Sequence, residues 1–485
     1  MVLKAPNDDP LKDYYTPNHD YLGDCDQNCK TKWWLFTPYN VEETKYWLFR
    51  MIALPLGASL IFIFIYQIGF GSINNPIFEW ITYISLFIGN IFFTCYWREL
   101  ARAEYFKITL DDGLIEEGVT PDITFSNDTE AYTYKLNEIS EKYKIGFVGD
   151  IMMMRKHELE ADEKVKDFFS DAKIIVANLE GIVRDCGSTF KTQAHKPEIL
   201  TQLGKLLNCN TQWLLCLGNN HSIDFGNKEF HTSLHKIRKS PNTFVFGRND
   251  VSNTYYENPA IPSIYYNLTT ATQWSNQHNW DCLTLLEDRG SNNGIRAHHH
   301  DAHFHILYPH WGFENERYVR TRFQLDARAL LTGVRQEYPN GLPALFNPDP
   351  TQCWDLIIGH HPHVRQPIMK VPAKTARNVS FNRLVVFSTG NFTSGVHFLR
   401  AKKHLFGTSI ICGIGPLTAD TNQWAIGNVS WQRTVNVRTK PGGCKTKTIE
   451  RDEGDYPSFN RNSFWYGVII IVGILIFRIL ERFFF

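Results

Sequence analysis

What this 485-residue chain lacks narrows it first. Lys plus Arg and Asp plus Glu both number 50, so there is no net charge and no broad basic surface to neutralise a phosphate backbone. Nucleic acid is therefore not an expected partner. The ten cysteines form no paired CxxC grid, which argues against a zinc ribbon and leaves the redox compartment unread; Cys25 and Cys29 are close enough in sequence to pair locally. No internal repeat is evident. A cleavable leader is not expected either: the first apolar run begins at Met51, behind a polar segment, and no small-residue cleavage site follows it.

Long apolar runs are scarce against a negative mean hydropathy, and three stand out. Residues 51–70, MIALPLGASLIFIFIYQIGF, carry no charge and at ~1.5 Å per residue cross a hydrocarbon core of ~30 Å. Residues 77–97 have one early acid, Glu79, and end in Tyr96 and Trp97, rings suited to a membrane interface. The run 464–477 is followed by Arg478, Glu481 and Arg482, so a last span over 464–482 needs its arginines to snorkel. Buried core helices are the alternative for all three. The expected organisation is a polar segment over 1–50, a transmembrane hairpin (51–70 and 77–97), a folded domain over 108–438, a linker over 439–463 and a C-terminal span.

The central part has a soluble composition and short apolar runs, each closed by a polar turn. KIGFVGD, KIIVANLE, WLLCLGNNH, HILYPHWG, DLIIGHHPH and LVVFSTGNF read as buried parallel strands of an α/β fold. Residues 191–207 and 318–331 are helical candidates for crossovers, and the polar stretch 267–296 reads as an insertion or long loop. Each strand delivers polar residues at its C-terminal end, where α/β sheets hold ligands. In order these are Asp150; Asn178 and Glu180; Asn220 and His221; His310; and His360, His361 and His363. Two carboxylates, a carboxamide and several imidazoles suit a borderline divalent metal better than calcium. A pair of ions ~3.5–4 Å apart would clamp a phosphate-like group and activate water.

Taken singly, Asp150 reads as a cap or turn residue, Glu180 as a solvated acid and His310 as a satisfied histidine beside a tryptophan. Their joint placement at successive strand ends is what points to a site. Asp224, three residues after His221, either orients that imidazole or caps the following helix. Arg365 either pairs an anionic substrate or is an exposed strand-end cation, and Ser388 and Asn391 occupy the last strand end. The tract His298, His299, His300, His303 and His305 reads as solvated rather than as a metal box.

The series GD, NLE, GNNHSIDFG, HWGFE, GHHPHV and STGNF resembles, in order and spacing, the bacterial CapA-type capsule-synthesis family, also called the poly-gamma-glutamate biosynthesis family. The likeness runs from Lys144 to Phe392, about half of the chain. That family in turn looks like a branch of the calcineurin-like metallophosphoesterases, which implies two mixed β-sheets packed face to face and flanked by helices. The resemblance implies Asp150 as a ligand of a first metal, Glu180 as the bridge between two, and His363 on the first. It implies Asn220, His310 and His361 on the second, with His221 as general acid and Asn391 in the site floor; His360, Arg365 and Asn178 are further candidates for substrate binding or support. The cofactor would be one or two divalent ions, Mn, Zn or Fe. One departure is plain: Met152 stands where a metallophosphoesterase has a ligand histidine.

Sidedness stays open. Lys30, Lys32, Lys45, Arg50, Arg98, Arg102 and Lys107 flank the hairpin and favour a cytosolic domain. Against this stand N-x-S/T sequons at Asn127, Asn267, Asn378, Asn391 and Asn428. Whether the chain is an enzyme also stays open. One expectation is a membrane-anchored, metal-dependent hydrolase or transferase acting on an anionic polymer or a phosphate- or amide-linked substrate, together with polymer-synthesis subunits. The alternatives are a non-catalytic membrane subunit that holds or exports such a polymer through the same pocket, and a structural protein whose site has decayed.

Overall fold

The computed structural model describes Ile84, residues 114–115, and residues 123–448 except 155–156, 186–191, 208–210, 249–253, 257–265, 274–282, 285, 287–301, 315–318, 320, 335–352, 395–401 and 439–442. The chain divides into two compact units, Ile108–Asp452 and the two ends, Met1–Lys107 with Glu453–Phe485. Among the described residues no helix is long and apolar enough to cross a membrane. The expected spans lie, apart from Ile84, outside the described residues.

Two mixed sheets with flanking helices make up the described body, as expected for the fold class. One sheet has seven strands and the other eleven. All six strands read from the apolar runs are present, three in each sheet. Tyr143–Ile151, Ile174–Leu179 and Gln212–Cys216 pair in parallel in the larger sheet. Phe304–His310, Leu356–Ile358 and Ser380–Val386 do so in the smaller.

The period-2 geometry of a strand sends alternate side chains to opposite faces, and each face here has its own core. Phe147, Val176 and Leu214 join Leu268, Ile306, Ile358, Leu384 and Val386 in a core with members from both sheets. Val148, Ile175, Ala177, Trp213 and Leu215 point the other way, into a core shared with three helices, Glu163–Phe168, Glu198–Leu206 and Gly226–Arg238. Helix Glu198–Leu206 buries Ile199, Leu200, Leu203 and Leu206, and helix Gly226–Arg238 buries Phe230, Leu234 and Ile237. This is the one-sided stripe of an amphipathic crossover. Each buried Leu, Ile or Phe contributes about 1.5–3 kcal/mol.

Three expectations change. The crossover helix read from residue 191 starts only at Glu198, because Ala194–His195 is extended and pairs with Ile182–Val183, and the residue before Pro197 is biased away from helix. The segment 267–296, read as a loop, begins with a buried strand, Tyr266–Thr272, parallel to Phe304–His310. Its polar side chains concealed it: Thr270 Oγ1 donates to the Tyr308 carbonyl and Asn267 Oδ1 sits 2.8 Å from His305 Nδ1, so they are paired rather than solvated. Within the expected linker, Gly443–Thr448 is a strand between Trp424–Arg438 and Glu158–Ala161. The second crossover helix spans Thr321–Thr332.

Candidate metal centre

Asp150 owes its position to a local irregularity. The register between Tyr143–Ile151 and Ile174–Leu179 shifts between Phe147 and Asp150, a bulge of the kind that re-aims a side chain. Gly149 is needed there, since a Cβ on it would lie 1.8 Å from the Gly390 carbonyl oxygen. That approach lets Asp150 N–H donate to Gly390 O at 2.9 Å and sets Asn391 in parallel register beside Asp150. The GD and TGN motifs thus form one construction. Below it, Tyr308 Oη donates to the Val148 carbonyl at 2.9 Å, tying the two sheets together under the site.

The fully buried Asp150 carboxylate accepts from Asn178 Nδ2 at 2.8 Å and lies 3.0 Å from His363 Nδ1. His360 Nδ1 stands 3.6 Å from its other contact point, Oδ1. Glu180, also fully buried, has His363 Nε2 at 3.3 Å and His221 Nε2 at 3.6 Å from Oε1, yet among the described residues neither of its carboxylate oxygens has a hydrogen-bond partner. His363 therefore sits between the two carboxylates, one ring nitrogen toward each. Asp150, Glu180 and His363 bring one donor atom each to within 4.8 Å of one another, a group able to hold a metal ion.

The second predicted set adjoins the first. Asn220 Oδ1 is 3.0 Å from His310 Nε2, and His310 Nδ1 is 2.9 Å from His360 Nδ1. The His310 and His361 rings lie 4.4 Å apart between centroids, and those of His361 and His363 6.1 Å. The histidine turn is strained: His361 has φ +103° and His363 φ +57°. Non-glycine residues adopt such backbone at a cost of about 1–3 kcal/mol each, and they cluster at functional sites. His221 Nδ1 lies 2.6 Å from Asp224 Oδ2, so of the two readings of Asp224 the orienting one holds.

Electrostatically the centre is short of positive charge. Burial alone would raise Asp150, but the His363 hydrogen bond and charge, His360 and Asn178 outweigh it and hold the carboxyl below its usual value. Burial opposes the charged form of His363, yet Glu180 and Asp150 push its pKa well above the usual histidine value. Burial likewise opposes charge on His221, and Asp224 and Glu180 more than offset it. Burial drives His360 down to about 4 and His361 to about 3, and with its histidine neighbours it drives His310 far down. Neutral imidazoles with free lone pairs are what a metal accepts.

Of the remaining candidates, Asn178 and Asn391 are in place: Asn391 Oδ1 lies 3.1 Å from His363 Nδ1. Arg365 is half-buried and pairs as a single bridge with Thr389. Ser388 Oγ accepts from Gly390 N–H, a supporting role. Met152 is buried with its N–H on the Thr393 carbonyl, and the imidazoles beside Asp150 are those of His363 and His360. In the histidine tract, residues 298–300 lie outside the described residues. His303 stacks on Trp424 at 5.4 Å, and His305 is buried against Asn267 rather than solvated.

Three contributors are not among the candidates read from the sequence. Asn219 Nδ2 donates to Asn178 Oδ1 and to the Leu179 carbonyl, both at 3.0 Å, bracing the Glu180 turn. Glu314 adds negative charge near His221 and His361; its presence in HWGFE was the available signal. His195 Nε2 lies 2.9 Å from the Glu180 carbonyl oxygen, and nothing in the sequence marks it.

Fold and site together define a mixed α/β protein with a buried Asp-Glu-His group able to hold a metal ion at the strand ends. The model of one family, described as bacterial capsule synthesis protein PGA_cap, matches residues 144–396, and the chain belongs to that family. No curated protein matches it.

Proposed function

We propose that the chain is a membrane-anchored, metal-dependent hydrolase or transferase of capsule or poly-gamma-glutamate polymer biosynthesis, built on a metallophosphoesterase-like domain. Family membership supports the biosynthetic setting. The observation that carries the chemistry is Glu180, fully buried with neither oxygen hydrogen-bonded, between His363 and His221. A buried carboxylate that faces imidazoles without a hydrogen bond among the described residues is costly to keep, and a cation would complete it.

On this reading Asp150, Glu180 and His363 would hold one divalent ion, with Asn220, His310 and His361 available for a second, drawn from Mn, Zn or Fe. When bound, such ions polarise a phosphoryl or carbonyl oxygen and lower the pKa of water. The protein's own residues do the rest. Asp224, fixed by the Gln193 N–H at 2.9 Å, accepts from His221 Nδ1 and so aims Nε2 toward the Glu180 side of the site. His221, whose charged form is favoured, can then deliver a proton to a leaving oxygen or nitrogen. Asn178 and Asn391 hold Asp150 and His363 in register.

The three apolar runs at 51–70, 77–97 and 464–482 would anchor this domain to a bilayer, with its side undecided, beside subunits that make or export the polymer. A second reading, a subunit that holds or exports an anionic polymer without turnover, is favoured by one observation: Met152 is buried and offers no imidazole to Asp150. His221→Ala separates the two. Assayed on bis(p-nitrophenyl) phosphate and on poly-gamma-glutamate with Mn²⁺ present, the enzyme reading expects turnover in the parent protein and its loss in the variant with metal retained. Absence of turnover in a metal-loaded parent protein favours the holding subunit.

A further inference from the structure

The segment that follows Glu180 is locked to a second segment that the motifs do not include. Gly181, at φ +103°, lies so near Gln193 that a Cβ on it would sit 2.3 Å from the Gln193 carbonyl oxygen. Ile182 N–H donates to that same oxygen, and Arg184 N–H donates to the His195 carbonyl at 2.9 Å. Ile182–Val183 and Ala194–His195 thus form a short parallel ribbon, fastened to helix Gly226–Arg238 where Val183 N–H donates to Ser233 Oγ at 2.7 Å.

This ribbon touches the centre at two points. Its Gln193 N–H donates to Asp224 Oδ2, the oxygen that also receives His221 Nδ1. Its His195 ring, 2 % exposed, lies with Nε2 2.9 Å from the Glu180 carbonyl oxygen. A carbonyl can only accept, so Nε2 carries the proton, and in the neutral ring Nδ1 is then a bare lone pair. Among the described residues Nδ1 has no hydrogen-bond partner. A buried imidazole held at this cost, when an apolar ring would fill the same space, is retained for the bond it makes. That bond fixes the peptide carrying the Glu180 side chain.

We propose that His195 is a positioning residue of the metal centre. Its Nε2–H clamps the Glu180 backbone so that the carboxylate meets the ion with its geometry already set, while the adjoining Gln193 N–H keeps the His221–Asp224 pair in step with it. This rests on the reading of Asp150, Glu180 and His363 as a metal site. Partners that orient a ligand typically sustain about ten- to a hundredfold in metal affinity.

The test is calorimetric titration of the metal-stripped full chain with Mn²⁺, alongside thermal melting, for the parent protein, His195→Phe, His195→Gln and Leu203→Ala. Leu203→Ala controls for stability: it opens a cavity in the core packed against the ribbon side of the sheet, at a cost of about 2–5 kcal/mol, without touching the Glu180 carbonyl. His195→Phe is expected to weaken Mn²⁺ binding about ten- to a hundredfold. His195→Gln, which restores an N–H donor, should bind as the parent does, and Leu203→Ala should melt earlier yet bind normally. Parent-like Mn²⁺ affinity in His195→Phe overturns the proposal, as does equal weakening in Leu203→Ala. A parent protein that binds no Mn²⁺ overturns the metal reading itself and the positioning role with it.

Discussion

His305 and His310 stand at opposite ends of one buried strand, and the two ends are built on different terms. At the first, His305 Nδ1 meets Asn267 Oδ1 at 2.8 Å, the His305 N–H donates to Asp355 Oδ2 at 3.0 Å, and Asp355 Oδ1 takes Arg383 Nη2 at 3.1 Å. A cavity of about 1400 Å³ opens beside them, lined in part by His305, Asp355, Arg383 and Lys374. At the second end, His310 enters a cluster in which Glu180 keeps two buried oxygens without a hydrogen bond. The first end has room, but its buried charges are already matched. The second has unmet demand for positive charge. An imidazole is marked for function by what its neighbours leave unsatisfied, more than by the space beside it.

Breaking the second end should cost activity and leave the fold. His221→Ala is expected to lower any metal-dependent turnover by about 10²–10⁴-fold with Mn²⁺ still bound; a steady-state assay with parallel metal analysis checks it. Glu180→Gln removes the central ligand and should weaken Mn²⁺ binding by more than the roughly hundredfold that supporting residues command, read by calorimetry. The reverse holds at the first end. His305→Leu leaves Asn267 without its partner and should cost about 1–3 kcal/mol of stability in denaturant melts, while Mn²⁺ affinity stays at the parent value.

The pH dependence sharpens the same contrast. His195 and His360 are held neutral down to about 4 and His361 to about 3 by burial, against about 6.5 in an unfolded chain. As pH falls below about 6.5 the unfolded state takes up protons that the folded state refuses, so stability declines toward pH ~4. His363 has the opposite sign. Its raised pKa contributes stability that is complete below about 6.5 and is lost as pH rises through the folded value. Metal-free protein should therefore melt highest near pH ~6.5, and Mn²⁺ should lift the alkaline limb by taking over from the His363 proton. Melting curves across pH with and without chelator decide this. The smallest effect is expected of Met152→His, which puts an imidazole two residues after Asp150 and should raise Mn²⁺ affinity by up to about tenfold, on the scale of supporting contacts.

Much of this architecture is legible because a strand buried on both faces must be apolar throughout, and its first polar residue marks where it leaves the core. KIGFVGD and DLIIGHHPH announce themselves in that way, and with them Asp150, His361 and His363. Tyr266–Thr272 does not, since threonine and asparagine are indistinguishable in sequence from loop residues until their hydrogen-bond partners are known. Gly443–Thr448 is an alternating strand of small and charged residues that reads as linker for the same reason. His195 is invisible because its contact is with a backbone carbonyl, which has no side-chain signature. The sequons divide on similar grounds: Asn127, Asn378 and Asn428 are exposed, whereas Asn267 and Asn391 are buried and engaged within the fold.

The central claim is that the His310 end of the sheets is a metal centre organised around Glu180. Elemental analysis of the purified full chain, beside Glu180→Gln prepared identically, tests it most directly. One or two equivalents of Mn, Zn or Fe in the parent protein and a near-complete loss in the variant are the predicted result. A parent protein without near-stoichiometric divalent metal, and unable to take it up from Mn²⁺ or Zn²⁺ solution, contradicts it.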